Sequence, residues 1–257
     1  MNILNQLLAQ PGFTPPLLIA AVVMYGAWTY AYYRVIRSCC EQKSYGVPMV
    51  LLCLNIVWEC IFAFNLAHSN LAYLFRIGNG IWFFFDIVMV YQFFRYGREA
   101  QVVPFLREHF LKVAVLTLFC SAVALFNFTI YFNDIKGVTS SMTMNLTMSV
   151  LYILMLFHRP DMRGLDYRAA WAKMFGTAGG SVFLYFWWPK QFNESGLLLD
   201  VANNGAATVH QPEIHAPYSY TYMLFLYLGI LFFDLVYIYL LTQRRKAIAQ
   251  AGPKVAC

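Results

Sequence analysis

Seven stretches of this chain are apolar for about the length that crosses a bilayer, and that pattern limits what it can fold into. A spanning helix needs about 20 mainly apolar residues. Helices suit the role because backbone polar groups in hydrocarbon must be satisfied internally. The stretches run about Pro16–Val35, Pro48–Ala67, Asn79–Phe94, Phe110–Phe132, Ser140–Phe157, Ala169–Trp188 and Tyr222–Leu241. The expectation is an all-α polytopic membrane protein, a seven-transmembrane-helix bundle in which residues 1–257 form a single transmembrane domain. The third stretch is the shortest and the most interrupted by polar residues. Charged residues make up 12% of the chain, about half the share of a soluble domain, so water is not its main solvent.

Basic residues are unevenly spread over the connections. Arg34, Arg37 and Lys43 border the first, and Arg95, Arg98, Arg107 and Lys112 the third. Arg159, Arg163, Arg168 and Lys173 border the fifth, and Arg244, Arg245, Lys246 and Lys254 lie in the tail. That places 15 of the 18 Lys and Arg on one side, with Arg76, Lys136 and Lys190 opposite. Cytosolic loops carry the excess of Lys and Arg. The N-terminus is therefore expected outside or in a lumen and the C-terminus in the cytosol, which only an odd number of spans allows. The net charge of +6 reads as topology, and no nucleic-acid partner is expected. The expected location is the endoplasmic reticulum membrane of a eukaryote or the inner membrane of a bacterium. Residues 189–220 form the one long connection, on the non-cytosolic side, with His210, Glu213, His215 and an Asn193-Glu-Ser glycosylation pattern. The six Cys have neither a CxxC pair nor zinc spacing, so no metal site is expected from them.

Ionisable residues inside a span are costly and mark functional sites by default. Glu59, Asp86 and Asp234 lie inside the second, third and seventh stretches. At a rise of about 1.5 Å per residue, they sit roughly 12, 10 and 18 Å from the outer ends of their helices. Three helices thus bring acids to a similar depth. Asn55 lies one turn before Glu59, Trp82 one turn before Asp86, and Tyr237 three residues after Asp234, so each acid shares a face with an amide or an aromatic ring. Burial disfavours the charged form of a carboxyl, and neighbouring acids separate into donor and partner. A cavity lined by aromatic faces suits a cation. Gly176 and Gly180 form a GxxxG in the sixth stretch, which points to close helix packing.

Missing features exclude several classes. The seventh stretch has no Lys for a retinal Schiff base. The chain has no Asp-rich diphosphate motif and no Gly-rich phosphate loop. The run Ser44-Tyr45-Gly46-Val47-Pro48, followed by Asn55-Ile56-Val57-Trp58-Glu59, is similar to the signature of the small integral-membrane terpene cyclases of meroterpenoid and indole-diterpene biosynthesis. The similarity continues through Trp82-x-x-x-Asp86, Tyr96-Gly97, Trp187-Trp188-Pro189 and Asp234-x-x-Tyr237. The resemblance implies a membrane-bound, metal-free and cofactor-free cyclase, an isomerase or lyase of the proton-initiated type. Its substrate would be a lipophilic prenylated aromatic, epoxidised by a flavin monooxygenase after a prenyltransferase has made it. Glu59 and Asp234 map onto the catalytic acids of that family. Asn55, Trp58, Trp82, Asp86 and Tyr237 fall in supporting or substrate-binding positions. The competing class is a proton-coupled transporter or lipid-binding membrane protein that uses the same acids; the absence of an internal repeat speaks against the transporter.

Overall fold

The computed structural model describes residues 14–69, 73–132, 134–159, 161–187 and 220–250. The described residues contain eight helices: α1 (Pro15–Gln42), α2 (Met49–Ala63), α3 (Tyr73–Tyr96), α4 (Pro104–Glu108), α5 (Phe110–Tyr131), α6 (Val138–His158), α7 (Tyr167–Trp187) and α8 (Tyr220–Gln250). They contain no strand. Helices α3, α5, α6 and α8 have the length and apolar character of membrane spans. Helix α2 is as apolar but only 15 residues long. The long connection with its His210, Glu213, His215 and Asn193 lies outside the described residues.

The sequence placed the helix centres well and several ends less well. The third helix, expected to be the shortest, spans 24 residues, because Tyr73–Gly78 continue the helix that the polar Asn79 seemed to open. The second stops at Ala63 rather than Ala67. Its end is a Schellman turn, in which Leu66 N–H donates to the Ile61 carbonyl and Asn65 takes a left-handed φ of 51°. The Arg76 guanidinium of α3 also donates to the Ala63 carbonyl at 3.2 Å, serving one of the carbonyls that a helix end leaves open. The five-residue α4 has a proline in its first turn and was not foreseen.

Helix α1 packs along α7, α2 packs on α3 and α5, and α8 packs on α6 and α7. The close α1–α7 approach depends on the glycines of α7. A Cβ on Gly176 would stand 2.7 Å from Trp28 Cδ1, and one on Gly180 would stand 3.0 Å from Met24 Sδ. The GxxxG is thus a packing contact against α1. On α5, Leu111, Leu116 and Phe119 are exposed, as suits a helix face turned to acyl chains. Arg159, counted above with the loop cations, is buried. Its guanidinium stacks 4.1 Å from the Tyr45 ring centroid and donates to the carbonyls of Tyr45 and Arg163 at 2.5 and 2.7 Å, which ties the α6–α7 turn to the α1–α2 turn.

Asp134 organises the start of α6. Its carboxylate accepts the backbone N–H groups of Thr139 and Ser140 at 3.1 and 2.8 Å, an anion at a helix N-terminus. Gly137 bends the chain between them with φ 71°, and a Cβ there would meet Phe62 and Trp58 at 2.7 Å. Burial pushes the Asp134 carboxyl up to about 6, against the pull of its bonds to Ser140 and Thr139.

Two measurements follow from this packing. Gly176→Ala is expected to destabilise the protein by about 1–3 kcal/mol through overpacking against Trp28. Gly26→Ala on α1, where a Cβ meets nothing within 4 Å, is expected to be neutral or stabilising by up to ~1 kcal/mol. Thermal unfolding in detergent reads both. For Asp134 the folded carboxyl binds its proton more tightly than the unfolded one. Its stabilising contribution is then full below the unfolded value of 3.8 and lost as pH rises through about 6. Wild type should therefore gain stability relative to Asp134→Asn as pH falls from 7 to 4, and a flat difference contradicts this.

Candidate active site

Two cavities lie end to end between α1, α2, α3, α6 and α7, with Trp28, Tyr32, Asn55 and Met148 common to both walls. The first has a volume of about 150 Å³ and lies toward the α5–α6 turn, where Gly137 and Val138 line it. The second, about 50 Å³, lies toward the α1–α2 turn, where Gly46 and Val47 line it. Sites that enclose a drug-sized ligand run to roughly 300–1,000 Å³, so a larger ligand requires side chains to move. Met24, Met142, Met144 and Met148 in the wall of the first cavity are unbranched and suited to such repacking.

Glu59 projects from α2 into the first cavity. It is 3% exposed, and its Oε2 has no hydrogen-bond partner among the described residues. One turn earlier, Asn55 donates from Nδ2 both to the Tyr32 hydroxyl of α1 and, at 2.8 Å, to Asp86 Oδ2 of α3. Asp86 is fully buried, lines the second cavity, and leaves Oδ1 without a partner among the described residues. One amide on α2 thus joins three helices and stands between the two acids.

The walls are aromatic. Trp82 stacks between Tyr25, at 4.7 Å between ring centroids and 19° between planes, and Tyr32, at 6.2 Å and 11°. Its indole N–H donates to Thr29 Oγ1 at 3.1 Å, which fixes the ring's rotation. Trp58 donates from its indole to Ser140 Oγ at 2.8 Å, so the Asp134-held start of α6 also sets the orientation of a cavity ring. Tyr237 lines the second cavity beside Tyr152, 5.3 Å between centroids. Ring faces attract positive charge, and this site presents several of them around a buried carboxyl.

A model of the Pyr4-like transmembrane terpene cyclases matches residues 16–201. The chain belongs to that family. A Pyr4-family terpene cyclase, mfmH of Annulohypoxylon moriforme, is 40% identical over 72 residues, 28% of each chain. The terpene cyclase esdpB of Penicillium shearii is 26% identical over 62% of this chain and 67% of its own length. The terpene cyclase cle7 of Aspergillus versicolor is 26% identical over 72% of this chain and 78% of its own. The chain thus spans under a third of the first of these relatives. No solved structure matches it.

Within this member of the family, six of the seven expected site residues line the cavities: Asn55, Trp58, Glu59 and Trp82 the first, Asn55, Asp86 and Tyr237 the second. Asp234 does not. Its Oδ1 accepts from Lys173 Nζ at 2.7 Å, and the same ammonium donates to Ser149 Oγ of α6 at 2.8 Å. Lys173 in turn lines the second cavity. This corrects the grouping of Lys173 with the loop cations: it is a buried residue of α7 and holds one of the three acids. Among the described residues no three His, Cys, Asp or Glu side chains gather closely enough to share a metal ion. Sequence reasoning also missed Tyr25, Trp28 and Tyr32 of α1. Their spacing of three and four residues marks one helix face, but the acids drew attention to other helices.

The Lys173–Asp234 pair is buried, so breaking it exposes an unpaired charge to an apolar interior. Lys173→Met is expected to cost about 3–5 kcal/mol, while Lys173→Met combined with Asp234→Leu regains most of that loss. A double-mutant cycle of thermal unfolding measures it, and additive losses contradict the pairing.

Proposed function

We propose that this chain is a membrane-embedded terpene cyclase that takes a prenylated aromatic from the bilayer and closes it into fused rings. One observation carries the reading: the Glu59 carboxyl stands in an aromatic-walled cavity with an oxygen that has no hydrogen-bond partner among the described residues. A carboxyl with an oxygen left open among the described residues is suited to give a proton, whereas Asp234 already has the Lys173 ammonium at 2.7 Å. The names of the relatives support cyclisation as the reaction class.

In this proposal Glu59 protonates the terminal epoxide oxygen of the substrate. The bond from that oxygen to its more substituted carbon breaks, the electron pair stays on oxygen, and a hydroxyl results. The nearest alkene attacks the cationic carbon, and each closure passes the positive charge to the next substituted carbon. With a plain alkene the same proton adds to carbon instead. The faces of Tyr25, Tyr32 and Trp82 stabilise the travelling charge, and the apolar walls exclude the water that would intercept it. Asp86, oriented through Oδ2 by Asn55, takes the proton released at the end. The resemblance gave Asp234 a catalytic role; here it is a positioning residue that fixes Lys173 at the wall of the second cavity.

All the helices except the five-residue α4 cross the membrane in this reading, with the N-terminus lumenal and the C-terminus cytosolic. Moving Lys173 from the loops to the interior takes one cation from the fifteen counted on the cytosolic side, and the asymmetry survives. A prenyltransferase and a flavin epoxidase are the enzymes that would supply the substrate, at the endoplasmic reticulum of a eukaryotic host.

Microsomes carrying the chain, given an epoxyprenyl arene and assayed by mass spectrometry, test the proposal. Glu59→Gln is expected to lower conversion about 10²–10⁴-fold, the range for loss of a general acid. Asp234→Glu, which keeps a carboxylate for Lys173, should retain part of the activity that Asp234→Asn loses. Unchanged conversion by Glu59→Gln contradicts the assignment.

A further inference from the structure

A crevice of about 280 Å³ lies between α7 and α8, apart from the two cavities of the proposed active site. Val182, Leu228 and Leu231 at its sides are 50, 58 and 39% exposed, so in a membrane it opens to the acyl chains. A crevice with only apolar walls would accept any lipid tail. This one has two buried polar side chains in its lining, Thr177 and Asp234, each 3% exposed. Thr177 Oγ1 and Asp234 Oδ2 both lack a hydrogen-bond partner among the described residues. Thr177 follows Lys173 by one helical turn, so the two side chains share a face of α7. Lys173 takes Asp234 Oδ1, which leaves Oδ2 for the crevice. The ion pair is therefore a partition, with its ammonium lining the second cavity and its carboxylate lining the crevice.

Unpaired buried polar atoms are costly, and here they define what would relieve the cost. Asp234 Oδ2 is an acceptor, and the Thr177 hydroxyl is both donor and acceptor. A single alcohol group satisfies both by donating to the carboxylate and accepting from the threonine. An amine-bearing ligand is disfavoured by the Lys173 ammonium beside the carboxylate, and an acid by the carboxylate itself. We infer that the α7–α8 crevice is a membrane-facing binding site for the hydroxyl end of a lipophilic alcohol, held by Asp234 and Thr177. Its place in the reaction rests on the cyclase reading, because acid opening of an epoxide turns the ether oxygen into such a hydroxyl. The crevice is then the outlet, which binds the alcohol product and not the epoxide substrate, since an epoxide oxygen has no proton to give Asp234.

Photolabelling of the full chain in lipid nanodiscs tests this without requiring turnover. The probes are a diazirine analogue of farnesol and the same molecule without its hydroxyl. The alcohol is expected to label 174–186 and 224–231, to be competed by excess farnesol, and to exceed the hydrocarbon at these sites at least fivefold. Thr177→Val should reduce the alcohol's labelling severalfold and leave the hydrocarbon's unchanged. Val182→Trp, at an exposed position where folding is not at risk, should block both. Equal labelling by the two probes, labelling confined to other segments, or indifference to Thr177→Val overturns the inference. Loss of cyclisation with this labelling intact would count against the cyclase reading alone, and the reverse against the crevice alone.

Discussion

One amide side chain holds the middle of this bundle together. Asn55 of α2 donates to Tyr32 of α1 and to Asp86 of α3, and it borders both cavities. In an apolar interior an unmade hydrogen bond is expensive, so this link sets the spacing and rotation of three helices at the depth where the chemistry is proposed. Glu59, one turn along the same helix face, then reaches the first cavity, and Trp82 is held against Tyr25 and Tyr32.

Charge is handled in two different ways at that depth. Asp234 is paired with Lys173 and so carries its negative charge against a neighbour. All three acids keep one oxygen without a partner among the described residues, but those of Glu59 and Asp86 border the two cavities while that of Asp234 borders the crevice. In the proposed mechanism a substrate supplies partners of that kind when it arrives, at the cavities where binding and proton transfer are placed. The paired acid marks structure, a wall between the cavities and the lipid-facing crevice. In that proposal the division of labour among the three acids follows from one lysine.

Much of this was legible in the sequence. Apolar runs gave the helix centres, and the cost of burying Glu59, Asp86 and Asp234 singled them out before any contact was known. Helix ends were less legible, because α2 stops on a local turn at Asn65 while α3 begins earlier than its polar residues suggested. Lys173 was hidden by its position near the start of its helix, where a cation can reach either a loop or the interior, and only packing against α6 and α8 decides between them. The α1 face of Tyr25, Trp28 and Tyr32 lacked a charge to mark it, and an aromatic stripe by itself does not distinguish a cavity wall from a lipid-facing surface. The contacts of each acid were likewise beyond the sequence, since depth along a helix does not tell which neighbour a side chain meets.

A mechanism-based label separates the acids most directly. An epoxyprenyl arene with a fluorinated first alkene opens under protonation but cyclises poorly, so its cation is captured by the carboxylate that has just lost its proton. Peptide mass spectrometry then locates the ester. The account requires the adduct on Glu59, and an adduct on Asp234 would contradict it.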